Sequence, residues 1–332
     1  MSIGVLLALL TSVLSTAQNT MLKLLARYKK VEGTDKKEVN KKAEKEADIM
    51  MGLITSWSSA FVALLVTFTV AFCLGSLSRM PKLPDNFWIA VAEKIPLYVL
   101  AIWCYAMAHR KGDISKISPL LAITPALILV IAPFMINQHA DWTGISGVIF
   151  IVIGAYFLNF TERKNGFFGP LKELWRDHGS RFMIITATIY ALTSVIDAVG
   201  VKEGGNDLTG AILWTVFINL GGFVILMPFA MYFIKKLKNN YWELPQVKEF
   251  LGKRGFVKMS LTGFFNGSSE IAQMTAMTFL LAAYVNAIKR FSMVLGVFVG
   301  AALGEKKIKE RLTGSLIMLV GTILIIISAT VK

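Results

Sequence analysis

The chain has 332 residues, 55% of them hydrophobic and 17% charged, with a formal net charge of +14 and a mean hydropathy of +0.60. Soluble globular chains carry roughly 25% charged residues. The Lys and Arg residues here lie in short stretches between apolar runs, which argues against a soluble enzyme and against a nucleic-acid-binding patch.

Apolar runs long enough to cross a hydrocarbon core of roughly 30 Å recur along the chain. Backbone groups in lipid must be satisfied within the segment, so such runs are helices. Ten spans are predicted at 3–25, 49–77, 87–108, 115–136, 142–160, 181–201, 209–234, 256–278, 280–303 and 312–331. No basic residue precedes the first run and no small-residue cleavage site follows it, so it reads as a retained span. The segment 26–48 is dense in Lys and Glu and is expected to be a solvated arm. Segments 163–181 and 235–255 mix Phe, Leu and Trp with basic residues and are expected to lie along the membrane surface. Trp57, Trp88, Trp142 and Trp242 fall near span ends, where amphipathic rings prefer the interface.

Loops after odd-numbered spans hold 27 basic residues, whereas those after even-numbered spans hold only Arg79, Lys82 and Lys202. The positive-inside rule makes the odd loops cytoplasmic and places both termini outside an inner or plasma membrane of bacterial or archaeal type. Cys73 and Cys104 both fall inside spans, so no disulfide framework or metal-binding cysteine pair is expected.

Five spans per half imply that the second half is inverted relative to the first. LTSVLSTA (10–17) resembles LTSVIDAV (192–199), Gly147 and Gly154 share the spacing of Gly314 and Gly321, and Ser118-Pro119 corresponds to Ser292-Met293. The segments GDISKISPLLAITPALILVIAPF (112–134), GVIFIVIGAYFLNF (147–160), YVNAIKRFSMVLGVFVGAALGEKKIKERLTG (284–314) and SLIMLVGTILII (315–326) resemble the EamA-type repeats of the drug/metabolite transporter superfamily. That resemblance implies an all-α integral membrane fold of ten transmembrane helices, built as two inverted five-helix repeats over 1–160 and 161–332. It also implies movement of small metabolites or lipid-linked sugars by alternating access. The chain departs from the family pattern at Met293, where proline is common, and at Asn137-Gln138, where Gly-Glu is usual. The family's usual orientation has cytoplasmic termini, which the loop charges here oppose.

Ionisable residues inside a span cost at least about 2.5–3.5 kcal/mol on insertion scales, so each needs a partner or a wet cavity. Asn266, Glu270 and Gln273 form one face of span eight, with Gly263 and Gly267 on nearly the same face allowing a close neighbour. Span nine carries Asn286, Lys289 and Arg290, and the Arg290 fork suits a carboxylate or phosphate. Lys94, Tyr98 and Tyr105 share a face of span three beside Glu93, and Tyr190, Ser194 and Asp197 share a face of span six. These residues are the candidate substrate site, with Glu270 and Arg290 at its centre and able to approach one another on consecutive antiparallel spans. Each also has a structural reading, as a helix-packing seam, an interface charge or a capped helix end. Gln18, Asn19 and Asn219 read as interhelical hydrogen-bond partners. Pro96, Pro119, Pro125, Pro133 and Pro228 permit bending, which makes spans three and four candidate moving elements.

The mixed charges inside the spans suit a secondary transporter for a small anionic or zwitterionic metabolite, driven by a proton or an exchanged solute. The alternative is a flippase for a phosphate-bearing lipid such as a polyprenyl-linked sugar, with Lys289 and Arg290 holding the phosphate. His109, His139 and His178 fall at loops or span ends without a catalytic cluster, so no enzymatic activity, metal or other cofactor is expected. A monomer or homodimer in the bilayer is anticipated, with no nucleic-acid partner.

Overall fold

The computed structural model describes residues 3–26, 39–77, 82–111, 118–158, 178–302 and 308–330, and these are helical with no strand among them. The helices are α1 (Ile3–Ala26), α2 (Val39–Cys73), α3 (Asp85–Lys111), a 3₁₀ segment (Ser118–Ile123) leading into α4 (Thr124–Ile136), and α5 (Trp142–Leu158). After these come α6 (His178–Glu203), α7 (Leu208–Asn240), a short α8 (Pro245–Phe250), α9 (Lys253–Met277), α10 (Ala282–Lys289), α11 (Ser292–Ala302) and α12 (Ile308–Thr330). Each predicted span therefore coincides with helix. Residues 27–38 of the predicted arm and 163–177 of the predicted surface segment lie outside the described residues. From Val39 onward the arm is continuous with α2. Within 235–255, α7 runs on to Asn240 before the short α8.

Among the described residues, six helical stretches are long and apolar enough to cross a membrane, and three more, Leu120–Ile136, Trp142–Ala155 and Thr313–Ala329, are shorter and apolar. The helix α9 falls outside both groups. Its sequence explains this, because the stripe of Asn266, Glu270 and Gln273 lowers its hydropathy.

Packing follows from which face of each helix is small or polar. On α12, Leu316, Val320, Ile323 and Ile327 point outward, while Met318 and Ile325 are fully buried. An apolar exterior is the arrangement lipid requires. The helix α12 packs along α5, α1 along α9, α3 along α6, and α2 against both α7 and α9. The Gly147 and Gly154 spacing matched to Gly314 and Gly321 has a direct consequence. A Cβ on Gly147 would lie 2.7 Å from the Gly321 carbonyl oxygen, and one on Gly154 would lie 2.7 Å from that of Gly314. The two glycine pairs thus let α5 and α12 touch backbone to backbone. Gly267 does the same for α9, since its Cβ would fall 2.8 Å from the Ala63 Cα of α2.

Two spans are interrupted. In the first, Pro125 stands in the opening turn of α4, where its missing N–H costs nothing, and the chain enters through the 3₁₀ segment. The second break, at Arg290–Phe291 between α10 and α11, has no proline and was not anticipated from sequence. Hydroxyls of α1 serve the carbonyls around it: Ser12 Oγ donates to the Ile288 oxygen at 2.6 Å and Thr16 Oγ1 to the Ser292 oxygen at 3.2 Å. Asn137 and Gln138 also find roles. Asn137 adopts φ 53° at the end of α4, and Gln138 Oε1 accepts from the Ala282 N–H at the start of α10.

Candidate functional site

Polar side chains from α1, α3, α6, α7, α9 and α10 form a layer inside the bundle. Lys94 of α3 pairs with Asp197 of α6, and both side chains are about nine-tenths buried. Asp197 Oδ1 also accepts from Trp214 Nε1 of α7 at 2.6 Å, and the Lys94 ammonium lies 5.5 Å from the centre of the Trp214 rings. The reading of these two residues as an interface charge and a solvated helix end is therefore overturned: both are interior, because each neutralises the other. Glu93, one residue from Lys94, is exposed, as their different helical directions require.

Glu270 of α9 is held by amides. Asn219 Nδ2 of α7 donates to Oε2 at 2.7 Å, and Asn266 Nδ2, one turn earlier on α9, donates to Oε1 at 2.9 Å. Asn266 Oδ1 in turn accepts from Gln18 Nε2 of α1 at 2.9 Å. Gln18 and Asn219 are thus interhelical hydrogen-bond partners, as their sequence positions suggested. A small cavity of about 40 Å³ opens beside Glu270, Lys94, Tyr98 and Asn219.

The segment leading to the second break brings three more residues to the layer. Asn286 Nδ2 donates to Ser194 Oγ of α6 at 2.5 Å, and Lys289 Nζ donates to Gln273 Oε1 of α9 at 2.6 Å. Lys289 also interacts electrostatically with Arg290, Glu270, Asp197 and Lys94. Arg290 caps α10, and its buried Nε has no hydrogen-bond partner. Glu270 and Arg290, which consecutive antiparallel spans allow to approach, do not pair with one another. The amides satisfy the carboxylate, while the guanidinium instead interacts with the Tyr190 ring hydroxyl of α6.

Tyr105 stands apart from the layer, two turns beyond Tyr98 along α3, and interacts with Tyr190. Trp214, fully buried on α7, was missed in the sequence. Also missed was a cluster at the end of the bundle opposite the basic loops. There the Asp141 carboxylate accepts from Tyr284 Oη of α10 at 2.6 Å and from Ser328 Oγ of α12. These two hydrogen bonds hold the Asp141 carboxyl down to about 2. Among the described residues no cluster of His, Cys, Asp and Glu has the makings of a metal site.

A bundle with an apolar exterior and a charged, largely hydrogen-bonded interior layer defines a polytopic helical membrane protein. Residues 46–160 match the model of the EamA-like transporter family, part of the drug/metabolite transporter superfamily. Members of that family are transporters. Among solved structures, one crystal structure of a protein superposes over 98% of this chain and 97% of its own, with a TM-score of 0.66 at 12% identity. At that identity the likeness speaks for the fold alone. No curated protein matches the chain.

Proposed function

We propose that the protein is a secondary transporter that moves a small anionic or zwitterionic metabolite by alternating access between two inverted five-helix repeats, residues 1–160 and 161–332. The observation that carries the substrate reading is Arg290. It is the one candidate residue in the layer whose charged head has neither an ion pair nor a hydrogen bond among the described residues, and its Nε is buried. A buried guanidinium nitrogen without a partner carries a desolvation cost that a bound acceptor would relieve. A carboxylate or phosphate fits its planar fork. Lys289 adds a second cation from the adjacent position, so the layer carries Lys94, Lys289 and Arg290 against Asp197 and Glu270.

The repeat reading is supported by the way the halves cross. Ser15 and Asp197 hold the same position in the two matching segments, and each makes a polar contact across its crossing: Ser15 to Ser269 between α1 and α9, and Asp197 to Lys94 between α6 and α3. Ser12 and Ser194 also correspond, and both brace α10. Two interrupted spans, one per half, provide segments that can pivot. In this reading ten spans cross the membrane and both termini are outside.

In proteoliposomes, Arg290→Ala should abolish binding and uptake of organic anions while the protein stays folded and monodisperse, and Arg290→Lys should rescue only partly. Normal uptake by Arg290→Ala would overturn the anionic reading.

A further inference from the structure

A cavity of about 530 Å³ opens at the end of the bundle opposite the basic loops, between the ends of α4, α6, α9 and α12 and the start of α10. Its volume falls within the range of small-molecule sites. The cavity beside Glu270, by contrast, has about 40 Å³, room for roughly one water. Of these two cavities, the larger is the one that admits the body of an organic solute.

The wall of that cavity is more apolar than polar, with Met135, Val199, Met277 and Leu280 set beside Gln138, Asn206 and Thr278. Methionines adapt to varied shapes, so such a wall selects for apolar surface more than for one outline. The charged lining residues are Lys202 and Glu203, adjacent and of opposite sign, which gives no preference for anion or cation. The inner limit lies close to the polar layer. Ala198 lines the cavity and directly follows Asp197, and the Ser194–Asn286 hydrogen bond lies one turn deeper on α6. Tyr284 and Ser328, fixed by Asp141, give the opposite wall a defined form.

We propose that this cavity is a loading site and that the substrate is an amphipathic organic anion, with an apolar body held here and a carboxylate or phosphate head passed on to Arg290. The inference rests on the anionic reading of Arg290 and adds a requirement for an apolar body. Selection is divided in space: the cavity reads apolar area, and the layer beneath it reads charge. Opening of the Ser194–Asn286 contact joins the two.

The test is calorimetric titration of the protein in nanodiscs with straight-chain carboxylates from acetate to hexanoate, with protein-free nanodiscs as the control. Affinity should rise by about two- to fourfold per added methylene, the scale set by burying apolar area. Ala198→Trp, which fills the cavity, should flatten that rise and leave acetate binding unchanged. The same result should come from Ala329→Cys blocked with a bulky thiol reagent after folding, in a Cys73→Ser background that removes the exposed native thiol. Equal affinity along the series would overturn the proposal, as would a rise that survives both blocked variants. Binding of polyprenyl phosphate from vesicles without any binding of the soluble carboxylates would overturn it as well. If Arg290→Ala keeps the whole series bound while the blocked variants still flatten it, the anionic reading fails and the apolar site stands.

Discussion

The crossings of α3 with α6 and of α1 with α9 are built alike and filled differently. Both carry a polar pair inside the bundle, with Ser15 and Asp197 at the same place in the similar segments 10–17 and 192–199. One pair is the Lys94–Asp197 ion pair with Trp214 alongside, and the other is Ser15 with Ser269 at 2.9 Å. A hydroxyl pair can be lost cheaply, because it carries no charge and Ser269 Oγ also reaches a backbone carbonyl, lying 3.3 Å from the Thr11 oxygen. A charge has no such fallback. The comparison shows that positions matched in local sequence need not carry equal energies, and that the charged crossing is the one that cannot open without a replacement partner.

Breaking the charged crossing should give the largest effect. Asp197→Ala leaves Lys94 buried without a counter-ion and should lower stability by about 3–5 kcal/mol, read as a fall in the unfolding midpoint in detergent. Lys94→Ser combined with Asp197→Ser imitates the other crossing and should recover most of that loss. A double variant no better than Asp197→Ala would show that the pair is not one energetic unit.

A smaller effect should follow from Ser15→Ala. Interhelical hydrogen bonds in membrane proteins average about 0.6 kcal/mol, so the unfolding midpoint should move little. A shift as large as that of Asp197→Ala would erase the distinction between the crossings.

The smallest effect is expected where α5 and α12 meet and Asp141 binds Tyr284 and Ser328. Its carboxyl is held at about 2, below the ordinary carboxylate value. The folded form therefore prefers the ionised group. The resulting stabilisation is complete above about pH 4, the usual carboxylate value, and is lost as the pH falls toward 2. Asp141→Asn should flatten the dependence of the unfolding midpoint on pH across that window, lowering the midpoint slightly near neutrality and leaving it unchanged near pH 2, where the native carboxyl is itself becoming neutral. An unaltered acid profile would mean that the cluster contributes nothing through its charge.

Local pattern determined most of the helices of this protein. Apolar runs of spanning length must satisfy their own backbone, which fixed helix positions to within a few residues for most spans. Helical spacing likewise put Asn266, Glu270 and Gln273 on one face, and an unfavourable burial cost marked Lys94, Asp197, Lys289 and Arg290 as residues needing partners. Which partner each one met depended on the packing of helices distant in the chain. Glu270 found the amides of Asn219 and Asn266 and left Arg290 unpaired, while Lys94 found Asp197 across 103 positions. The break before α11 also escaped notice, because no proline marks it and its carbonyls are met by hydroxyls 276 positions away. Periodicity along one helix reports the face a residue occupies, whereas a pair requires the distance between two helices, and only the tertiary structure sets that distance.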